Sequence, residues 1–236
     1  FARITRNTLV NNGLIIVVGM AAAVVLATLL FSVKSRLCTK IVQTVYITPN
    51  FVSWVTAAVM LYTFLEPQNG FINRFLIQIG LQPVKWYSEP DYWPFILLIA
   101  SIWKHIGMDS ILYYAALMGV DTSIFEAADV DGAGRLTKFF HITVPQLVPV
   151  ITIQFILAVG RIFNADFGLF YQMTLDSGQL YKWTDVISTY NFRVMKVVGN
   201  MSLSAAVGVL QSVVGFVLVI ITNKITKTLS EEGGLF

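Results

Sequence analysis

The sequence predicts an all-α, polytopic membrane protein with five membrane-crossing helices. Three observations carry that prediction. Of the 236 residues, 56% are hydrophobic and only 12% are charged, about half the charged share of a soluble domain. Mean hydropathy is +0.71. The apolar residues also gather in runs close to the ~20 residues a helix needs to cross a bilayer. No repeat of roughly 20–50 residues appears, and nothing reads as a β-barrel.

The runs follow in order. Residues 14–33 carry no charge and are stopped by Lys34-Ser35-Arg36. Residues 44–65 form a second run, with Pro49 and Asn50 near its start. A third, 94–117, is interrupted by Lys104, His105 and Asp109; a fourth, 144–163, opens on Pro145 and Pro149. The fifth, 203–222, is uncharged until Lys224. Between the second and third runs, Asn69-Gly70 reads as a turn. Phe71, Ile72, Phe75, Leu76 and Ile79 then share one face of a short helix, expected to lie along the membrane surface. Trp86, Tyr87, Tyr92 and Trp93 follow as an aromatic belt at headgroup level. In the fifth run Ser204, Gly208 and Ser212 recur every four residues, near Gly215, a spacing that lets helix backbones approach closely.

Charge excludes other classes. The net charge of +3 and pI near 9.0 come from scattered residues, with no cluster suited to nucleic acid. Cys38 is the only cysteine, which rules out an intrachain disulfide and a Cys-rich metal site. The chain has no H-E-x-x-H motif, His105 and His141 lie far apart, and Asp109 has no evident intramembrane Asp partner. Catalytic residues, a metal site and a cofactor are therefore not expected.

The most informative stretch is polar. Thr122 or Ser123 is placed to cap a helix, and Glu126 stands three residues after Ser123, the capping-box spacing. Glu126-Ala127-Ala128 favours helix, and Gly132 is placed to stop it. Residues 135–141 can form a second short helix leading through Pro145 into the fourth run. The spacing alone fits a helix-turn-helix that grips a partner and an ordinary polar hairpin equally well.

The segment Glu126-Ala127-Ala128, Asp131-Gly132-Ala133, Phe139 or Phe140, Ile142-Thr143-Val144-Pro145 and Pro149 resembles the EAA loop of type I ABC importer permeases. These are the inner-membrane components of binding-protein-dependent transport systems. The match covers about 25 residues, with Val144 where the family commonly has Leu. Asn7-Thr8-Leu9 is similar to the family's usual lead-in. Gly70-Phe71-Ile72-Asn73, Ile102-Trp103-Lys104-His105-Ile106-Gly107 and the ending Gly234-Leu235-Phe236 look like the oligosaccharide-handling subgroup.

The resemblance implies a five-span permease domain over 1–236, with at least one further span upstream, which also suits a chain starting at Phe1 rather than Met. It implies a coupling loop at about 121–145 whose helix enters a cleft on a cytoplasmic ABC ATPase dimer. Glu126, Ala127, Ala128, Asp131, Gly132 and Ala133 would be its coupling residues. A second homologous permease, an extracytoplasmic sugar-binding protein and the bacterial plasma membrane follow by the same analogy. Counting Lys and Arg does not orient the chain, at seven inside against eight outside; the cluster from Lys34 to Lys40 favours a cytoplasmic coupling loop.

Substrate residues are sought where polar groups interrupt apolar spans. Lys104 is one candidate, with a structural role as an alternative. Asn164, Asp166, Tyr171 and Gln172 are others, since amides, a carboxylate and an aromatic face suit carbohydrate. An ordinary aromatic exit from the membrane is the alternative there. The expected function is the permease of an ATP-driven carbohydrate importer; a passive channel or an intramembrane enzyme is the competing class.

Overall fold

A computed structural model of the protein describes residues 1–33 and 35–229. Lys34 and the Gly234-Leu235-Phe236 ending lie outside the described residues. Among the described residues every regular element is helical. Four helical stretches are each long and apolar enough to cross a membrane: Ala2–Phe31, Pro90–Met118, Arg135–Gly160 and Met201–Thr228.

The second predicted run departs from expectation. It is two helices, α2 (Arg36–Ile47) with a 3-10 turn at Thr48–Phe51, and α3 (Trp54–Leu65), which make a fifth crossing only if the pair counts as one span. The cause is local. Pro49 has no N–H to continue the ladder. Ser53 is extended and its Oγ accepts the Thr56 N–H at 3.1 Å, which starts a new helix.

The helix α1 (Ala2–Phe31) begins twelve residues before its apolar run. The chain divides into two compact units, the first holding Phe1–Ile15, Val52–Ser101 and Arg161–Phe216, the second Ile16–Phe51, Ile102–Gly160 and the chain from Val217.

In the first unit, α1 is extended by polar residues that bind other segments. Asn7 Nδ2 donates to the carbonyls of Lys182 and Asp185, Thr8 Oγ1 accepts the Ile187 N–H, and Asn12 Nδ2 donates to Ile162 O. These side chains are buried, and bonding to backbone offsets the cost of burying an amide. The core is Trp93 and Leu97 of α5 (Trp93–Met118) packed with Leu169 and Phe170. The short helix α4 (Phe71–Gln78) leaves Phe71, Phe75 and Ile79 exposed, as an interfacial helix would. Its buried Asn73 joins the loop: Nδ2 donates to Pro67 O and Val84 O, and Oδ1 accepts from Val84 N and Trp86 Nε1.

In the second unit, Ala23, Ala27, Tyr113, Leu117 and Leu147 form the core. Here α5 and α2 touch through backbone. A Cβ on Gly107 would stand 1.9 Å from Tyr46 O. Replacing Gly107 with alanine should therefore destabilise the fold by about 3 kcal/mol, the upper part of the range for overpacking. Thermal unfolding in detergent checks this; an unchanged midpoint would show that the contact can yield.

Candidate functional site

Two features could do chemistry or gripping, one in each unit.

In the second unit the polar stretch folds as a hairpin of α6 (Thr122–Val130) and α7 (Arg135–Lys138). The cap is Asp121, not Thr122 or Ser123: its Oδ1 accepts the Ser123 N–H at 2.9 Å. Aspartate is an equally good cap and one residue earlier. Those bonds from Ser123, the backbone N–H first, hold the Asp121 carboxyl below the usual carboxylate range. The end of α6 is closed by two bonds, Ala133 N–H to Ala128 O at 2.9 Å and Gly132 N–H to Asp129 O at 3.1 Å. This paired pattern needs a left-handed residue, and Gly132 has φ +73°.

Lys138 pairs with Asp129 and so ties the arms of the hairpin together, and Phe125 lies against Phe31 at 5.4 Å between ring centroids. Glu126, Ala127, Asp131 and Gly132 are exposed, Ala128 and Ala133 half-buried. Around them Val130, Leu136 and Phe140 are 88%, 75% and 62% exposed.

The second arm does not stop at His141. It runs through a π turn at Phe139–Thr143 into α8 (Val144–Gly160). The Val144 N–H reaches back to Phe139 O. Pro145 has no N–H to offer the preceding turn, so a wider turn is a natural local adjustment.

Lys104 is also in this unit. It is buried and its Nζ donates to Asn50 O at 2.9 Å, bracing the 3-10 turn that Pro49 creates.

In the first unit, α9 (Phe167–Gln172), α11 (Ile187–Lys196) and α12 (Met201–Leu229) border an open cavity of about 320 Å³. Asn164, Ser188, Asn191, Ser204 and Gln211 supply its polar wall; Phe167 and Phe192 supply aromatic surface. Of the sequence candidates, Asn164 lines it. Asp166 caps α9 through the Leu169 N–H and accepts the Trp54 indole N–H at 2.8 Å. Tyr171 stacks on Phe167 at 4.8 Å, behind that wall. Gln172 is half-buried at the end of α9. Thus 164, 166, 171 and 172 share one neighbourhood, and Lys104 belongs to the other unit.

Comparison with known proteins decides what such an arrangement belongs to. Residues 15–230 match the family model described as "Binding-protein-dependent transport system inner membrane component". The chain belongs to that family. It is therefore an inner-membrane permease component, and such a component is not itself an enzyme. The chain is 34% identical to Protein LplB of Bacillus subtilis (strain 168) over 233 residues, covering 99% of this chain and 73% of the relative. It is 31% identical to the polygalacturonan/rhamnogalacturonan transport system permease protein YteP of the same organism, covering 99% and 72%. Among solved structures, it resembles a chain of a bacterial ABC transporter involved in import of the acidic polysaccharide alginate. That likeness has TM-score 0.90 at 33% identity, covering 98% of this chain and 80% of the other. The alginate transporter in complex with an alginate pentasaccharide-bound periplasmic protein matches with TM-score 0.91 at 33% identity, covering 99% and 80%.

Sequence reasoning missed two features of this permease. Ser188, Asn191 and Gln211 line the cavity, yet as single polar residues in amphipathic or apolar helices they carried no signal until folding brought them beside Asn164. Arg193 pairs with both Asp176 and Asp185, and Arg3 reaches Asp185 at 3.3 Å. Residues 176, 185 and 193 lie on separate segments, so no single helix face announces them.

Proposed function

We propose that this permease forms part of the translocation path of an ATP-driven carbohydrate importer, with residues 121–145 as its coupling loop. The observation that carries the substrate class is the cavity wall, where amides, two serine hydroxyls and aromatic faces stand together. Amides and hydroxyls match sugar O–H groups, and ring faces match sugar C–H faces. The named cargo of YteP and of the alginate transporter supports the same class. Asn164 would touch the substrate; Asp166, Tyr171 and Gln172 would hold the wall from behind, and Lys104 would brace the turn at 48–51.

The hairpin is proposed to enter the cleft of a cytoplasmic ABC ATPase dimer. Glu126 would make polar contact, Ala127, Ala128 and Ala133 would allow close approach, and Asp131 and Gly132 would form the turn. Exposed Val130, Leu136 and Phe140 favour this, because so much apolar surface on a polar hairpin suits a protein partner. The small face of α12 would receive a second permease: a Cβ on Gly208 would meet nothing within 4 Å inside this chain. An extracytoplasmic binding protein would deliver the sugar.

The test is uptake of labelled oligosaccharides into vesicles holding the assembled transporter. Uptake should require ATP hydrolysis and stop when the ATPase partner is inactivated. Uptake that persists without hydrolysis would replace this reading with a passive channel.

A further inference from the structure

We infer that the face of α5 carrying His105, Met108, Asp109 and Leu112 meets a membrane helix of the second permease, and that this helix brings a hydrogen-bond donor to the Asp109 carboxylate. The inference rests on the permease-pair reading and adds a polar contact on α5 to the small face of α12.

Asp109 stands at membrane depth. Its span runs from Pro90 to Met118, which puts it about 13 Å from the nearer end by helical rise. The residue is exposed in this chain. An aspartate side chain is too short to reach the headgroups from there, and a carboxylate is among the costliest groups to set in lipid. Among the described residues, the other ionisable groups of the four spans lie near span ends, apart from Lys104 and His105. Lys104 is buried and donates to Asn50 O, and His105 is half-buried.

The surroundings of Asp109 decide what covers it. Residues 105, 108, 109 and 112 fall on one side of a helix. Met108 and Leu112 are 42% and 50% exposed there, and Ala115 is exposed one turn further on. Apolar side chains of this size do not suit the wall of a water-filled path. Apolar and small residues around one polar group do suit a contact between membrane helices. An ionised carboxylate only accepts, so the facing helix must donate, through a hydroxyl, an amide or a cation. His105, one turn from Asp109, joins the polar centre of that contact.

The test uses the assembled transporter purified from membranes. A photoreactive benzoylphenylalanine at Leu112 should cross-link this chain to the second permease, identified by mass. In a Cys38→Ser background, which removes the one native cysteine of this chain, Asp109→Cys should resist a membrane-impermeant thiol reagent. Asp109→Leu should lower the share of this chain that purifies with the second permease by roughly three- to tenfold. Cross-linking to lipid alone, ready labelling of Asp109→Cys from water, or unchanged pairing in Asp109→Leu each overturns the inference. The composition of the wild-type complex decides the permease-pair reading separately. If a second permease is present and the α5 face does not touch it, only the contact at Asp109 is removed.

Discussion

Gly132→Pro should abolish ATP-driven uptake while leaving the permease inserted in the membrane. Gly132 holds φ +73° and donates its N–H to Asp129 O. Proline fixes φ at about −65° and has no N–H, so both the turn and that bond are lost. The bond from Ala133 to Ala128 O depends on the same turn and goes with them. The membrane helices on either side do not depend on it. Gly132→Ala keeps the N–H and faces only the left-handed penalty of about 1–2 kcal/mol, so uptake should fall partway. Glu126→Ala should reduce uptake with no change in unfolding temperature, because Glu126 is exposed and alanine favours helix. Uptake, ATPase rate and protease accessibility of the inserted protein separate these outcomes. Wild-type transport by Gly132→Pro would remove the coupling assignment.

That hairpin was legible because its signals are local. A glycine stop and a run of helix formers act within a few residues, so the sequence could place them, although it put the cap one or two residues late. The long apolar runs were legible for the same reason. The second run was not, because hydropathy averages over Pro49 and Ser53, and two residues suffice to end one helix and begin another. The ends of α1 and α12 were missed too. Asn7, Asn11 and Asn12 precede the first apolar run, and they bond to backbone at 162 and 182–185, contacts separated by 150 residues or more. The cavity had the same problem: Asn164 stood in a conspicuous motif and Ser204 in a small-residue stripe, while Ser188, Asn191 and Gln211 came from elsewhere in the chain.

Arg193→Met should lower stability by about 3 kcal/mol, toward the low end for breaking a buried ion pair. Arg193 uses both terminal nitrogens, one on Asp176 at 2.7 Å and the other on Asp185, and its guanidinium lies 4.4 Å from the Tyr181 ring centroid. Asp185 is 4% exposed, so removing the cation leaves a carboxylate that water cannot easily reach. Arg3 and Thr189 retain contacts to it, which is why the expected loss is not larger. The clamp also acts against local strain. Leu175 and Asp176 have φ of 54° and 46°, a left-handed pair without glycine, held where Asp176 meets Arg193. Arg193→Lys should recover little, since one ammonium cannot replace the guanidinium fork that serves two carboxylates. Leu175→Gly should offset part of the Arg193→Met loss by relieving a left-handed side chain. Thermal unfolding measures the sum, and hydrogen exchange over residues 173–187 locates it. If Arg193→Met melts with the wild type and protection there is unchanged, the ion pairs follow the loop's shape rather than hold it, and the strain at Leu175 must be balanced by the buried Thr174, Leu180 and Thr184 instead.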